Sequence, residues 1–391
     1  MGDHARLENR IIALLFWLVL AAPLAMQLYT GSDANFRRTE QRRVSPLPGL
    51  PDSLAQLEKY PAALEAWFDD RFGFRAQLIY AHNFVKSRFG VSPDRKAIIG
   101  REGWLFVNEA RLLDANRGAW PFRKRELREL IRLFESRQTA LAAAGIYYLQ
   151  VAPPDKQSVY PEYLPERLHR VGPSRYRQFL EAVAGSTINF VDSYGPLLAA
   201  KQRGEKIYFQ TDSHWTCRGA FIAYRAIMEH VSNRFADGFV ELGENDVEFS
   251  FQPTASGFDL ARNVIGAPAL FPDANAGRCF ITPEPSIAYS GLGTGTAARL
   301  GDLYEARKRW LARNADPRLR LRVLVFRDSY SNALINYLDA SFREVAYVPH
   351  GALALDMDLV NEFKPDIVIY EHVERTLAYA AMALRAQAHR K

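Results

Sequence analysis

Cysteine is nearly absent from this 391-residue chain, which holds only Cys217 and Cys279. Two cysteines cannot build the multi-bridge framework of a small secreted scaffold, and their separation matches no zinc-binding pattern. A single bridge formed in an oxidising compartment and a pair of buried free thiols both fit. There is also no glycine-rich phosphate loop and no basic stripe interleaved with aromatics, and the net charge is a modest +6. These absences leave no nucleotide or other cofactor signature and make nucleic acid a poor partner, while an acidic polysaccharide fits the charge weakly. What is present is a globular composition, 48% hydrophobic and 12% aromatic, which is ample for a packed core. The length fits one large domain carrying an insertion.

Residues 11–29 carry no formal charge and follow Arg6 and Arg10. At ~1.5 Å per helical residue against a hydrocarbon core of ~30 Å, such a run predicts a transmembrane helix. Ala21, Ala22 and Ala25 keep a cleaved signal segment in play, but the run is long for a signal peptide and no A-x-A site stands in the expected place. Residues 1–30 are therefore read as a membrane anchor or signal segment, with the uncleaved anchor favoured. Arginines on both sides, including Arg37, Arg38, Arg42 and Arg43, leave orientation open by charge alone. Residues 31–52, arginine-rich and closed by Pro46, Pro48 and Pro51, suit a linker.

The folded part is expected over residues 53–391. Leu54, Leu57, Leu64, Trp67 and Phe68 recur at helical spacing behind Asp52 or Ser53 as a cap, a second helix follows at 76–89, and 97–107 reads as a hairpin. Helices at 125–144 and 174–183 then alternate with strands at 146–152 and 188–191, the pattern of crossover units in a mainly parallel sheet. Residues 219–231 read as a helix, strands resume at 321–326, 344–348 and 366–370, and helices are expected at 332–338 and 376–388. Residues 235–316, rich in Gly, Pro and Asn, read as an irregular insertion.

Chemistry is suggested at two places. The buried run from Leu321 to Phe326 delivers Arg327, Asp328 and Ser329 to a strand's carboxyl edge just before a helix, where α/β proteins place ligands. A serine there can present its hydroxyl to a cleft while N–H groups at the helix start hold a developing oxyanion. An Asp-Ser pair is equally an ordinary helix cap. A serine nucleophile needs a base. Of eight histidines, His214 in TDSHW (211–215) stands out because Asp212, two residues earlier, can share its side of an extended segment and orient the ring. Metal ligation and helix capping are the competing readings of that pair. His350 and His372, each following a strand, are rival bases, with Glu371 adjoining His372.

The strings KIYFQTDSHWTCRGAFIAY, VLVFRDSYSNAL and DIVIYEHVERTL, in this order, resemble the alginate O-acetyltransferases of the AlgJ and AlgX type, an SGNH-hydrolase-like group. IIGREGWLF, WFDDRFGFRAQLI and VAPPDKQSVYPEYLP are similar to further segments of that family, so the likeness covers most of the chain after the linker. The resemblance implies a three-layer α/β/α fold with Asp212, His214 and Ser329 as the catalytic set. It also implies acetyl transfer to hydroxyls of an exported polysaccharide through an acetyl-serine. The Asp-His-Ser order, permuted from ordinary SGNH hydrolases, itself marks the alginate-type group. Arg327 stands where the broader superfamily has glycine, and separate Gly and Asn oxyanion donors are not recognisable. The resemblance further implies a periplasmic body at the inner membrane and a multi-pass membrane acyltransferase as acetyl source. Glu374 and Arg375 resemble a family signature and equally suit an ion pair at a helix start. An acetyl esterase using the same residues with water, and a non-catalytic polysaccharide-binding component of a secretion complex, are the alternatives.

Overall fold

The computed structural model describes residues 2–29, 45–109, 111–293, 300, 309–349, 355–377, 379–380 and 382. It divides into two compact units, one made of Met1–Arg95 and Ser256–Phe271, the other of Lys96–Ala255 and Pro272–Lys391.

The first unit is helical. Gly2–Tyr29 is a helix whose side chains from Ile11 to Leu20 include many exposed apolar groups. Among the described residues, however, no helix is long and apolar enough to cross a membrane, so the structure does not support the expected transmembrane helix. The linker expected at 31–52 lies mostly outside the described residues. Leu54–Arg71 begins as its spacing predicted, with the Ser53 side chain accepting from the Gln56 N–H. Asp70 accepts from the Ser45 N–H at 2.7 Å and Arg71 donates to the Ser45 carbonyl at 2.7 Å, which ties down the chain entering this unit. Arg75–Arg88 follows a sharp turn in which Phe74 takes a left-handed conformation.

The second unit begins with a hairpin of β1 (Ala97–Ile99) and β2 (Leu105–Val107). Helix Lys124–Ala143 leads into β3 (Tyr147–Val151), and helix Arg175–Ala184, capped by Ser174, leads into the short β4 (Phe190–Val191). After helix Cys217–Arg234 come the antiparallel pair β5 (Val247–Phe251) and β6 (Gly277–Ile281), then β7 (Ile287–Gly291) and β8 (Trp310–Asn314). The chain closes with β9 (Arg322–Arg327), β10 (Glu344–Pro349) and β11 (Ile367–Glu371).

Among the described residues, seven strands form one sheet in the order β4-β3-β11-β9-β10-β8-β7. β4, β3, β11, β9 and β10 are mutually parallel, β8 is antiparallel to β10, and β7 is antiparallel to β8. The expected irregular insertion is thus corrected. Part of it supplies two strands of the main sheet, which short, polar-flanked runs such as IAYSG did not announce because β7 is an edge strand needing only one apolar face.

Side-chain alternation explains the layers. In β9, Val323 and Val325 face one core with helices Tyr194–Gln202, Cys217–Arg234 and Ile335–Ser341, while Leu324 and Phe326 face another with helix Met357–Phe363. A strand buried on both faces reads as one apolar run, and each such side chain contributes ~1.5–3 kcal/mol by leaving water. The helix expected at 332–338 is displaced. A 3₁₀ segment, Ser329–Ala333, comes first and Ile335–Ser341 follows. The last expected helix lies partly outside the described residues.

Candidate active site

Parallel strands point their carboxyl ends the same way, so β3, β9 and β11 deliver three segments to one edge of the sheet: Asp155 and Lys156, Ser329, and Glu374 and Arg375. β9 sits between β10 and β11, with Val325 opposite Tyr347 on one side and Ile369 on the other.

Asp328, not Ser329, caps the 3₁₀ segment. Its Oδ1 accepts from the Tyr330 N–H at 2.8 Å and its Oδ2 from the Val373 N–H at 2.7 Å. That leaves the exposed Ser329 hydroxyl for other work. It also takes the Tyr330 N–H out of the set of helix-start donors expected to meet an oxyanion. Behind the segment, Glu371 accepts from the Ser331 hydroxyl at 2.6 Å and the Asp328 N–H at 3.1 Å. Burial, reinforced by the charge of Asp328, pushes the Glu371 carboxyl well up from its ordinary value. The buried Arg327 donates to Asn332 Oδ1 and to its neighbour's carbonyl and lies over the Trp310 ring at 4.8 Å. Arg327 therefore braces the serine turn.

The TDSHW string forms a tight turn closed by a Tyr208–Trp215 bridge, and not the extended segment that its spacing suggested. Asp212 Oδ1 accepts from the backbone N–H of His214 at 3.0 Å, the two-residue reach by which Asp mimics a backbone turn. The same oxygen lies 2.7 Å from His214 Nδ1. His214 Nε2 lies 2.8 Å from Ser329 Oγ, so the three residues picked from separate strings form one hydrogen-bonded chain. Burial raises the Asp212 carboxyl, but the hydrogen bond and charge of His214, helped by Lys156, outweigh it and hold the group below its ordinary value. That keeps Asp212 an acceptor, and it fixes the proton on Nδ1 and the lone pair of Nε2 toward the serine. Helix capping falls to Thr216, whose side chain accepts from the Gly219 N–H at 3.2 Å while its hydroxyl donates to the Lys206 carbonyl at 2.6 Å. A Cβ at Gly219 would stand 2.2 Å from the Ile207 carbonyl oxygen, so glycine allows the helix start to approach the turn.

Cys217, three residues past His214, is disulfide-bonded to Cys279 on β6, which settles the two thiol readings. The turn and the serine segment are also joined directly. Trp215 Nε1 donates to the Tyr330 carbonyl at 3.0 Å, and the Tyr330 hydroxyl donates to the Ser213 carbonyl at 2.7 Å. Arg375 pairs with Asp155 at 2.6 Å and reaches the Tyr330 hydroxyl at 3.4 Å. Burial pulls the Arg375 pKa down, but the charge of Asp155 outweighs it and keeps the guanidinium charged. Beside it, burial and the charge of Asp155 push Glu374 up to about 8. It accepts from the Asp155 N–H at 2.9 Å and the Ser158 hydroxyl at 2.9 Å.

Of the rival bases, His372 is buried in the core, its ring 5.8 Å from that of Phe134, and its neighbour Glu371 is engaged as above. His350 lies outside the described residues. Lys156 and Tyr330 went unread in the sequence. For Lys156 the signal was available: a buried strand ending at Val151, then PPDK, puts an acid and a cation at a carboxyl edge.

Residues 97–270 match the family model described as SGNH hydrolase-like domain, acetyltransferase AlgX. The chain is 30% identical over 212 residues to a probable alginate O-acetylase AlgJ of Pseudomonas putida, covering 52% of this chain and 49% of that protein. It is 27% identical over 366 residues to the probable alginate O-acetylase AlgJ of Pseudomonas aeruginosa, covering 83% of this chain and 81% of that protein. Apart from the latter, the chain spans about half the length of the curated relatives it matches. The structure of Bacillus cereus PatB1 superposes with a TM-score of 0.54 at 18% identity, over 71% of this chain and 95% of that one, a likeness of fold.

Proposed function

We propose, from the premise that residues 97–270 belong to the SGNH hydrolase-like AlgX acetyltransferase domain family, that this chain is an O-acetyltransferase acting on hydroxyls of an exported polysaccharide, alginate or a similar polymer. The observation that carries the reading is the Asp212–His214–Ser329 chain, with contacts of 2.7 and 2.8 Å, ending in an exposed serine hydroxyl.

In this reading His214 Nε2 takes the Ser329 proton as Oγ attacks the carbonyl of an acetyl donor. The donor's leaving oxygen departs with that proton, and the acetyl group stays as an ester on Ser329. A sugar hydroxyl then gives its proton to His214 and attacks the ester; the acetylated sugar leaves and Ser329 is reprotonated. Asp212 holds the tautomer and stabilises the imidazolium. Acid quenching after brief exposure to a model acetyl ester should leave one acetyl group on the peptide that contains Ser329. Adding polysaccharide should move that acetyl to the polymer, whereas an esterase would release free acetate at the same rate with or without polymer. No acetyl on that peptide would end the covalent reading.

In the same proposal the body of the protein lies in the periplasm, held to the inner membrane by the N-terminal helix, beside a multi-pass membrane acyltransferase that supplies acetyl groups. The Cys217–Cys279 bridge supports an oxidising compartment, and the exposed apolar side chains from Ile11 to Leu20 support membrane attachment. Intact cells with a permeabilised outer membrane should lose the folded body to added protease and keep it in the membrane fraction beforehand; protection from protease would place it in the cytoplasm.

A further inference from the structure

We infer that Lys156 is a positioning residue for the proposed acyl transfer, holding the Asp212–His214 turn against the sheet edge so that the imidazole meets Ser329; this rests on the reading above. The Lys156 ammonium donates to the carbonyls of Phe209 at 3.0 Å, Gln210 at 2.9 Å and Asp212 at 2.6 Å. An ammonium has three donors, and these three acceptors lie along the turn that carries the proposed base. The residue is 1% exposed, its charge set near the rings of Trp104 at 5.6 Å and Phe106 at 5.4 Å.

Both ends of this side chain are anchored. Its backbone follows Asp155, which is bound to Glu374 and Arg375 beyond β11. The held turn is gripped from the other side as well, by Leu105 N–H on the Gln210 carbonyl at 2.9 Å and by Asp273 accepting from Thr211 N–H at 2.8 Å. Burying an ammonium is costly, and a residue needed only to fill space would be apolar. The ammonium serves three carbonyls gathered at one point, and its removal takes a donor from each of them and loosens one side of the turn that sets the His214 to Ser329 distance. The same charge favours the ionised form of Asp212.

Lys156→Met and Lys156→Ala in the full chain test this. Turnover of a model acetyl ester per folded molecule should fall ~10²-fold with KM little changed, since a base misplaced by about an ångström costs that much. The Nδ1 proton resonance of His214 should weaken or shift, and propylammonium should restore part of the lost turnover to Lys156→Ala. Turnover per folded molecule equal to that of the unaltered chain would overturn the inference. So would a loss that follows only the unfolded fraction, with the His214 resonance intact and no rescue. If Ser329→Ala retained transfer, the reading of Ser329 as the acetyl-carrying nucleophile would fall, while the His214 resonance would still test the role of Lys156 without any turnover.

Discussion

Ser329→Ala should abolish acetyl transfer, by roughly 10⁴–10⁶-fold in kcat, and leave the protein folded. The hydroxyl is exposed and its hydrogen bond goes to His214, while the turn around it is held by groups the substitution does not touch: Asp328 on the Tyr330 and Val373 N–H groups, and Glu371 on Ser331. Removing one exposed oxygen from such a turn should change stability by no more than ~0.5 kcal/mol. Melting temperature and model-ester turnover, measured together, separate loss of the nucleophile from loss of the fold. An unchanged model-ester rate would remove Ser329 as the nucleophile, and unchanged polymer acetylation in cells would point to a non-catalytic polysaccharide-binding component.

Asp212→Asn should cost on the order of 10⁴-fold in kcat, because an amide can satisfy the ring yet cannot stabilise the imidazolium or enforce the tautomer. The substitution is informative because it spares the turn. An amide oxygen can still accept the His214 backbone N–H that Asp212 accepts at 3.0 Å, so the local fold should persist. The variant also has a pH signature. The Asp212 carboxyl is held below its ordinary value in the folded protein, so its contribution to stability is present above the unfolded carboxylate's pKa and lost as pH falls through the lower folded value. Asp212→Asn should therefore show a flatter loss of stability in acid than the unaltered chain. A fall in kcat of less than about tenfold would mean that His214 is oriented by something else.

Much of the fold was legible because its cause is local. The run from Leu321 to Phe326 reads as a doubly buried strand since both of its faces are covered by cores, and Ser53 and Ser174 announce helices because their side chains accept from N–H groups three residues on. The insertion was not legible. β8 gains its place by pairing with β10 across the β9 that intervenes in sequence, β7 pairs with β8 alone, and the edge position of β7 demands little of its residues. The disulfide was equally out of reach, since only the approach of β6 to the start of helix Cys217–Arg234 decides it.

The site divides in the same way. A serine after an apolar strand and an aspartate two residues before a histidine are local patterns, and by themselves they determined which residues are chemically able to act. Whether they act together depends on positions 115 residues apart coming within 2.8 Å, which no spacing encodes. The tertiary structure decided that, through parallel strands that bring Lys156, Ser329 and Arg375 to one edge. It also decided that Asp328 and Thr216 take the capping work, while Ser329 and Asp212 meet through His214. The physical reason is that capping and turn formation are settled within a few residues, whereas a proton path between Asp212, His214 and Ser329 exists only when separate segments are packed to within hydrogen-bonding distance.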